Sequence, residues 1–448
     1  MRRIFQLFVL LLIASGPAKP ATETTATSTP FLYTVAKVFE PLAWLHGADR
    51  FPSGAQIFLR NDSGSRPLVP NFAASADPSI SFDGQRVLFA AKSHAPDPWQ
   101  IWELDLAGGA ARATTSFPED CVRPFYLPDD RVVSARKIAG RFVIEIKELA
   151  STKTLDLTYT PSNALPTDVL RDGRILFESS YPLGADGNPE IYTVYSDGSG
   201  VESYRCDHGT ARHAARQQDS GDSVFATSRG LARFTSARAQ QVTVSAPAGE
   251  YAGDIAQGPT GEWLLAWRAN AKSRYQLVRW TPDANDLKAL VSEPDDNVVQ
   301  PIVLTPRIVP NRHPSGLHDW PNANLLCLNA YTSKYQFPVG SIRSINLYTR
   351  DDSGHPKLLG SAPVERDGSF FVQVPSERPV QFELLDGSGK TLKREAGYFW
   401  MRRGEQRVCV GCHAGPETAP ENAVPQTLLK STTPADLTGT TAQSAGGH

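Results

Sequence analysis

The sequence predicts an all-β protein: a six-bladed β-propeller followed by a small antiparallel β-sandwich that ends in a C-x-x-C-H motif. Three observations lead there. Apolar runs are short and separated by turn residues, with 34 glycines and 35 prolines along 448 residues. A turn signature built on Asp-Gly recurs at intervals of about 40–48 residues, the period of a four-stranded propeller blade. Beyond it lies a shorter stretch of alternating apolar and polar residues that closes on Cys409-Val410-Gly411-Cys412-His413.

The N-terminus reads as an export signal over residues 1–18. Arg2 and Arg3 precede the apolar run Ile4 to Ala14. At about eleven residues that run is too short to span a bilayer. Gly16-Pro17-Ala18 supplies small residues for cleavage, and no cysteine follows that would mark a lipoprotein. An uncleaved anchor is the alternative. No later segment approaches about 18 consecutive apolar residues, so no membrane insertion is expected after cleavage, and the expected location is periplasmic or otherwise exported. The formal net charge is −2 with no polybasic run, which argues against nucleic acid as a partner.

The propeller is expected over residues 31–310. Its clearest turn is Ser81-Phe82-Asp83-Gly84, followed by the strand pattern Gln85 to Ala90 and then Gln100 to Asp105. Further copies fall at Pro128-Asp129-Asp130 and at Arg171-Asp172-Gly173, with weaker ones at Asp219-Ser220-Gly221 and Pro259-Thr260-Gly261. Asp-Gly suits the tight turn because glycine accepts the positive φ. A blade alone exposes both faces of its sheet, so the ring must close to bury them. Pro301 to Leu304 is an inner strand with no partner after it. Gln56 to Asn61 is an outer strand with no full blade before it. Joined as one composite blade they bring the count to six. An irregular β-sandwich is the alternative. The Asp-Gly turns resemble those of TolB-like propellers of the WD40-like type.

The second domain is expected over residues 311–425. Alternating runs at Asn324 to Tyr331, Ser344 to Tyr348, Ser369 to Val374 and Val380 to Leu385, with turns at Asp367-Gly368 and Asp386-Gly387, fit a small sandwich. Gly360 to Asp386 resembles transthyretin-type, carboxypeptidase-regulatory-like modules. Residues 426–448, rich in Thr, Pro, Ala and Gly, read as a disordered tail.

The motif at Cys409, Cys412 and His413 carries the chemistry. C-x-x-C-H attaches one covalent haem c: the two thiols add across the porphyrin vinyl groups, and the adjacent histidine becomes the axial iron ligand. Structural zinc usually needs a second Cys/His pair at matching spacing. None is obvious, although His208 and His213 are available. A thioredoxin-type dithiol opens a helix in a βαβ unit, and this region reads as all-β.

The opposite face of the iron is less determined. Met401, the one methionine after the leader, reads as core rather than ligand. His318 is a possible distal ligand, with His313 beside it in the same linker, and an open position is an equal alternative. Tyr398, Phe399 and Trp400 are haem walls or simply core. Arg402, Arg403 and Arg407 are propionate partners or solvated surface. Among the other cysteines, Cys327 lies in Leu325-Leu326-Cys327-Leu328 and reads as a buried, inert thiol. Cys206, in Cys206-Asp207-His208, is a metal ligand or an ordinary loop residue. Whether Cys121, Cys206 and Cys327 pair among themselves is open.

Asp367 to Val372, Pro375, Gly404-Glu405 and Cys409 to His413 resemble the haem-bearing middle domain of the hydrazine synthase alpha subunit. That subunit has a six-bladed propeller upstream, which fits the order here. The resemblance implies haem attachment at Cys409, Cys412 and His413. It does not imply hydrazine chemistry: the sequence ends soon after the motif and has no tyrosine after His413, where hydrazine synthase has been associated with tyrosine ligation of iron. Three functions follow in order. The first is an electron-transfer or redox subunit that docks a redox protein partner on its propeller. The second is a haem-dependent oxidoreductase acting on a small, possibly nitrogen-containing substrate between the domains. The third is a non-enzymatic binding or sensing propeller.

Overall fold

The computed structural model describes residues 29–439 apart from 186, 206–207, 209, 283–285, 352 and 413–417. The export signal at 1–18 therefore lies outside the described residues, as do Cys206 and His413. Among the described residues no helix is long and apolar enough to cross a membrane.

Six sheets make the propeller, each with its innermost strand against the strands of neighbouring blades. The composite blade runs Asn297–Val303, Phe31–Ala36, Gln56–Asn61, Gly64–Pro67 from axis to rim. The late strand pairs antiparallel with the first one, Phe31 opposite Val303, which closes the ring. The inner and outer strands expected from the sequence are both present in this blade; the strand Phe31–Ala36 between them lacks an Asp-Gly turn and carries no repeat signal. The other blades follow in chain order, their inner strands beginning at Ala74, Cys121, Ala164, His213 and Glu250. Each turn expected from Asp-Gly sits between a blade's first two strands, and Gly84, Gly173, Gly221 and Gly261 all have positive φ.

The inner strands share a second regularity. Register shifts interrupt them beside Asp77, Arg123, Thr167 and Ala214. Asp77, Arg123, Ala214, Asp254 and Gln300 adopt positive φ. These bulges turn polar groups toward the axis, where they meet one another. Arg123 Nη1 donates to both oxygens of Asp254 at 2.9 and 2.8 Å. Arg216 reaches the same carboxylate at 3.1 Å, and Arg50 lies between Asp77 and Asp254 at 3.8 and 3.6 Å.

The second domain packs two four-stranded sheets face to face. One has the order Gln406–Cys409, Asn322–Cys327, Phe370–Pro375, Ala435–Asp436; the other Pro356–Pro363, Ser344–Arg350, Val380–Leu385, Thr391–Arg394. Leu325, Cys327, Ile345, Leu347, Val372 and Val380 fill the space between them. The first sheet is not purely antiparallel, because both its edge strands pair parallel to their neighbours.

The tail departs from expectation. A helix at Gln426–Lys430 and a strand at Ala435–Asp436 bring it back to the sandwich. Gln426 N–H donates to Asp367 at 2.8 Å, Thr427 N–H to Ser369 Oγ at 3.0 Å, and Leu437 is buried in the core. Composition alone pointed to disorder, but a preformed sheet edge and one apolar anchor are enough to order the segment to residue 439.

The two domains are fastened on the rims of the third and fourth blades. Trp400 is fully buried in the propeller's side, among Phe125, Ile144, Leu157, Leu183 and Tyr192. Its Nε1–H donates to Leu157 O at 3.1 Å. Tyr398 N–H donates to Leu183 O at 3.0 Å, Gly200 N–H to Glu405 at 3.2 Å, and Arg402 bonds the Tyr159 hydroxyl. The connecting segment crosses the propeller face, Arg307 N–H bonding Phe82 O and Asn311 N–H bonding Arg171 O.

Candidate functional site

The C-x-x-C segment is positioned by a parallel strand pairing. Gln406–Cys409 runs beside Asn322–Cys327 with Cys409 opposite Cys327. Past the strand, Leu328 N–H bonds Cys409 O at 2.9 Å and Asn329 N–H bonds Val410 O at 3.2 Å, so the motif's backbone is held as it leaves the sheet. Gly411 then passes so close to the loop at 329–332 that a Cβ there would lie 2.0 Å from Thr332 O. Only glycine fits between the two cysteines at that point.

Both cysteines open into a cleft of about 860 Å³, its mouth included. Leu325, Phe337, Phe370, Phe382, Leu384 and Phe399 supply apolar walls, Tyr335 joins them, and Lys393, Glu395 and Arg407 supply the charged groups. The donor set and the surroundings fit a haem. Two thiols face a cleft walled by aromatic side chains, and Lys393 and Arg407 lie on its lining, Arg407 already paired with Glu405 at 2.7 and 2.9 Å. Cys409 and Cys412 would hold it. His413 follows directly but is outside the described residues.

The sequence-predicted residues separate into three groups. Cys409, Cys412, Phe399 and Arg407 come together at the cleft. Trp400, Met401 and Arg402 are structural: Trp400 is the interdomain anchor, Met401 is wholly buried in the sandwich core, and Arg402 is committed to Glu377 at 2.9 Å. Tyr398 packs at the domain junction under Arg350, and Arg403 is exposed. None of the histidines among the described residues reaches the cleft lining. His318 is exposed and stacks on Trp320 with ring centroids 4.8 Å apart; its backbone N–H bonds Gly404 O. His313 stacks on Tyr195 and His208 on Tyr181. His213 is at the propeller axis, where burial foremost, then Arg50, pushes its ring down to about 4.

Sequence reasoning missed Cys327. It is buried, as expected, yet it lines the same cleft as the motif. Hydrogen bonding between the two side chains holds the Cys412 thiol below the ordinary cysteine range and raises that of Cys327. Only the long-range parallel register creates this meeting, and no local pattern announces it. Cys121 is remote, on an inner propeller strand, and burial raises its thiol to about 12. Among the described residues no Cys, His, Asp and Glu cluster is arranged to hold a metal ion.

A second cleft, about 700 Å³, lies at the domain junction. The propeller contributes Tyr181, Tyr192 and His208, and the sandwich contributes Glu395, Tyr398 and Phe399. Glu395 and Phe399 border both clefts.

Residues 338–414 match the family model described as the hydrazine synthase alpha subunit middle domain. No curated protein matches the chain. Among solved structures, hydrazine synthase from Kuenenia stuttgartiensis is similar at 16% identity with a TM-score of 0.78, over 90% of this chain and 71% of that one. TolB from Acinetobacter baumannii is similar at 15% identity with a TM-score of 0.47, over 62% of this chain and 67% of that one. The family match and the likeness to the Kuenenia structure agree with the resemblance read from the sequence, and at this identity the structural likeness concerns the fold: a propeller and a β domain in the same order.

Proposed function

We propose that this chain is an exported monohaem c-type cytochrome, with haem thioether-bonded to Cys409 and Cys412 and His413 as its axial ligand. One observation carries the reading: both motif thiols open into an aromatic cleft with Arg407 and Lys393 at hand. When bound, haem would supply one-electron redox chemistry. The chain's own part is to exclude water with Phe337, Phe370, Phe382 and Phe399, to hold the motif backbone through Leu328 and Asn329, and to offer Lys393 to a propionate. Electron transfer fits first, with the propeller as docking platform for a redox protein partner.

The junction cleft favours a second reading, a haem-dependent oxidoreductase with a small substrate between the domains. It brings tyrosine, histidine and carboxylate side chains to the wall shared with the haem cleft through Phe399 and Glu395. A pyridine haemochrome assay with spin-state spectra, on protein matured in a cell that attaches haem c, tests both. A low-spin, six-coordinate iron supports electron transfer. A high-spin, five-coordinate iron that binds carbon monoxide supports the enzyme. A colourless protein contradicts both.

A further inference from the structure

A third cleft sits where the sandwich strand Ser344–Arg350 reaches the propeller. It measures about 850 Å³, its mouth included, and shares no lining residue with the haem cleft or the junction cleft. Among the described residues Arg350 supplies its one permanent charge, and no carboxylate stands on the lining. The propeller contributes the rest, including His46, Ser162, Asn163, Ser180 and Gly184. Its character is the reverse of the haem cleft's, with hydroxyl and amide groups in place of phenyl rings.

Arg350 is fixed there by neutral partners. Its Nη2 donates to Gly184 O, and its guanidinium lies 4.7 Å from the centroid of the Tyr398 ring. Its buried Nε–H has no acceptor among the described residues. A half-buried cation with no acid beside it is costly unless another group brings the negative charge. Gly184 also ties this cation to the hydroxyls. Its N–H donates to Ser162 Oγ at 2.7 Å, and Ser162 Oγ lies 2.7 Å from Ser180 Oγ. The two hydroxyls share one hydrogen bond, so one O–H of the pair is left to donate. Asn163 donates to Leu45 O and accepts from Phe142 N–H, which leaves one N–H and one lone pair of its amide. Only glycine fits at the bridging position: Gly184 has a φ of +89°, and a Cβ there would lie 2.8 Å from Tyr398 Cδ2.

We propose that this cleft binds a small hydroxylated carboxylate of the sugar-acid class, which bridges the two domains. One unpaired guanidinium calls for one negative charge, and a carboxylate matches its planar fork. The neutral groups around it both donate and accept, as the hydroxyls of such a ligand do. A phosphate dianion would bring a second charge that the lining does not answer. The site needs both domains, because the cation belongs to one and the hydroxyls to the other. It is independent of the haem reading, since neither cleft uses the other's residues.

The test titrates the full chain with galacturonate by calorimetry at low salt, beside galactose, inorganic phosphate and acetate. Galacturonate should bind, and galactose should be weaker by about tenfold, the loss expected when a charge-assisted hydrogen bond goes unmade. Phosphate and acetate should each bind more weakly than galacturonate. Arg350→Gln should weaken galacturonate by about tenfold and leave galactose unchanged. His46→Glu places a negative charge at an exposed rim position without touching the anchors. It should weaken galacturonate several-fold while the melting midpoint stays where it was, and it decides the matter if Arg350→Gln loosens the domains. Galactose bound as tightly as galacturonate, phosphate bound more tightly, or no heat in the millimolar range would overturn the inference. Full affinity in either folded variant would do the same.

Discussion

The propeller axis and the sandwich cleft are both walled by β-strands, yet they treat polar groups in opposite ways. At the axis, inner-strand bulges gather charged side chains and commit them to each other. Arg123, Arg216 and Arg50 surround Asp254, and although burial alone would raise its carboxyl, the three guanidinium groups hold it well below the usual carboxylate range. At the cleft, polar groups are few and the walls are aromatic, while thiols face open space. The lesson concerns where a fold keeps its reactivity. Charges tied to one another fix the ring; a roomy apolar site with a few convergent polar groups is what a cofactor can enter.

The comparison breaks most directly at Asp254. Asp254→Ala strips the partner from buried Arg123 and Arg216. A buried ion pair that loses one partner costs about 5 kcal/mol, so the propeller's urea midpoint should collapse; a change under about 1 kcal/mol would show that the axis does not hold the ring. Next is Trp400→Ala, which empties the interdomain anchor. A loss of about 3–4 kcal/mol is expected for a buried tryptophan, together with separation of unfolding into two transitions by calorimetry. One cooperative transition would mean that the domains are fastened elsewhere.

His213 sharpens the contrast through pH. Its folded-state value, lowered to about 4 from 6.5, means the unfolded chain binds a proton more readily between those limits. The stabilisation is fully present above about 6.5 and is lost as pH falls toward about 4, amounting to about 3 kcal/mol. His213→Leu should flatten that part of the stability profile in urea melts at stepped pH; an unchanged slope would assign acid lability to other groups. The smallest stability effect belongs to the cleft. Cys412→Ser should change the unfolding free energy by under about 1 kcal/mol while abolishing attachment at that sulfur. A loss as large as that of Asp254→Ala would make the motif part of the fold's framework instead of its reactive edge.

How much of this was legible follows the range of each signal. The blades were readable because a tight turn must use residues such as Asp83-Gly84, and the turn recurs in the blades that follow the composite one. The composite blade was readable from its unmatched ends, except for Phe31–Ala36, whose partner Val303 lies at the far end of the propeller sequence. The C-x-x-C-H motif is local and could be read outright. The meeting of Cys327 with the motif depends on a parallel register that sets it opposite Cys409 across 82 residues, and the axial ion cluster on bulges from different blades; neither leaves a local trace. The returning tail failed for the opposite reason: its composition is a true signal of weak self-structure, but Leu437 finds its burial in a sheet made elsewhere.

The central claim is covalent and can be weighed. Intact-mass and peptide spectra of the chain matured in a cell that attaches haem c should show one haem added to the peptide that carries Cys409 and Cys412, with neither sulfur open to alkylation. The same peptide at its unmodified mass, both sulfurs alkylated, would contradict it.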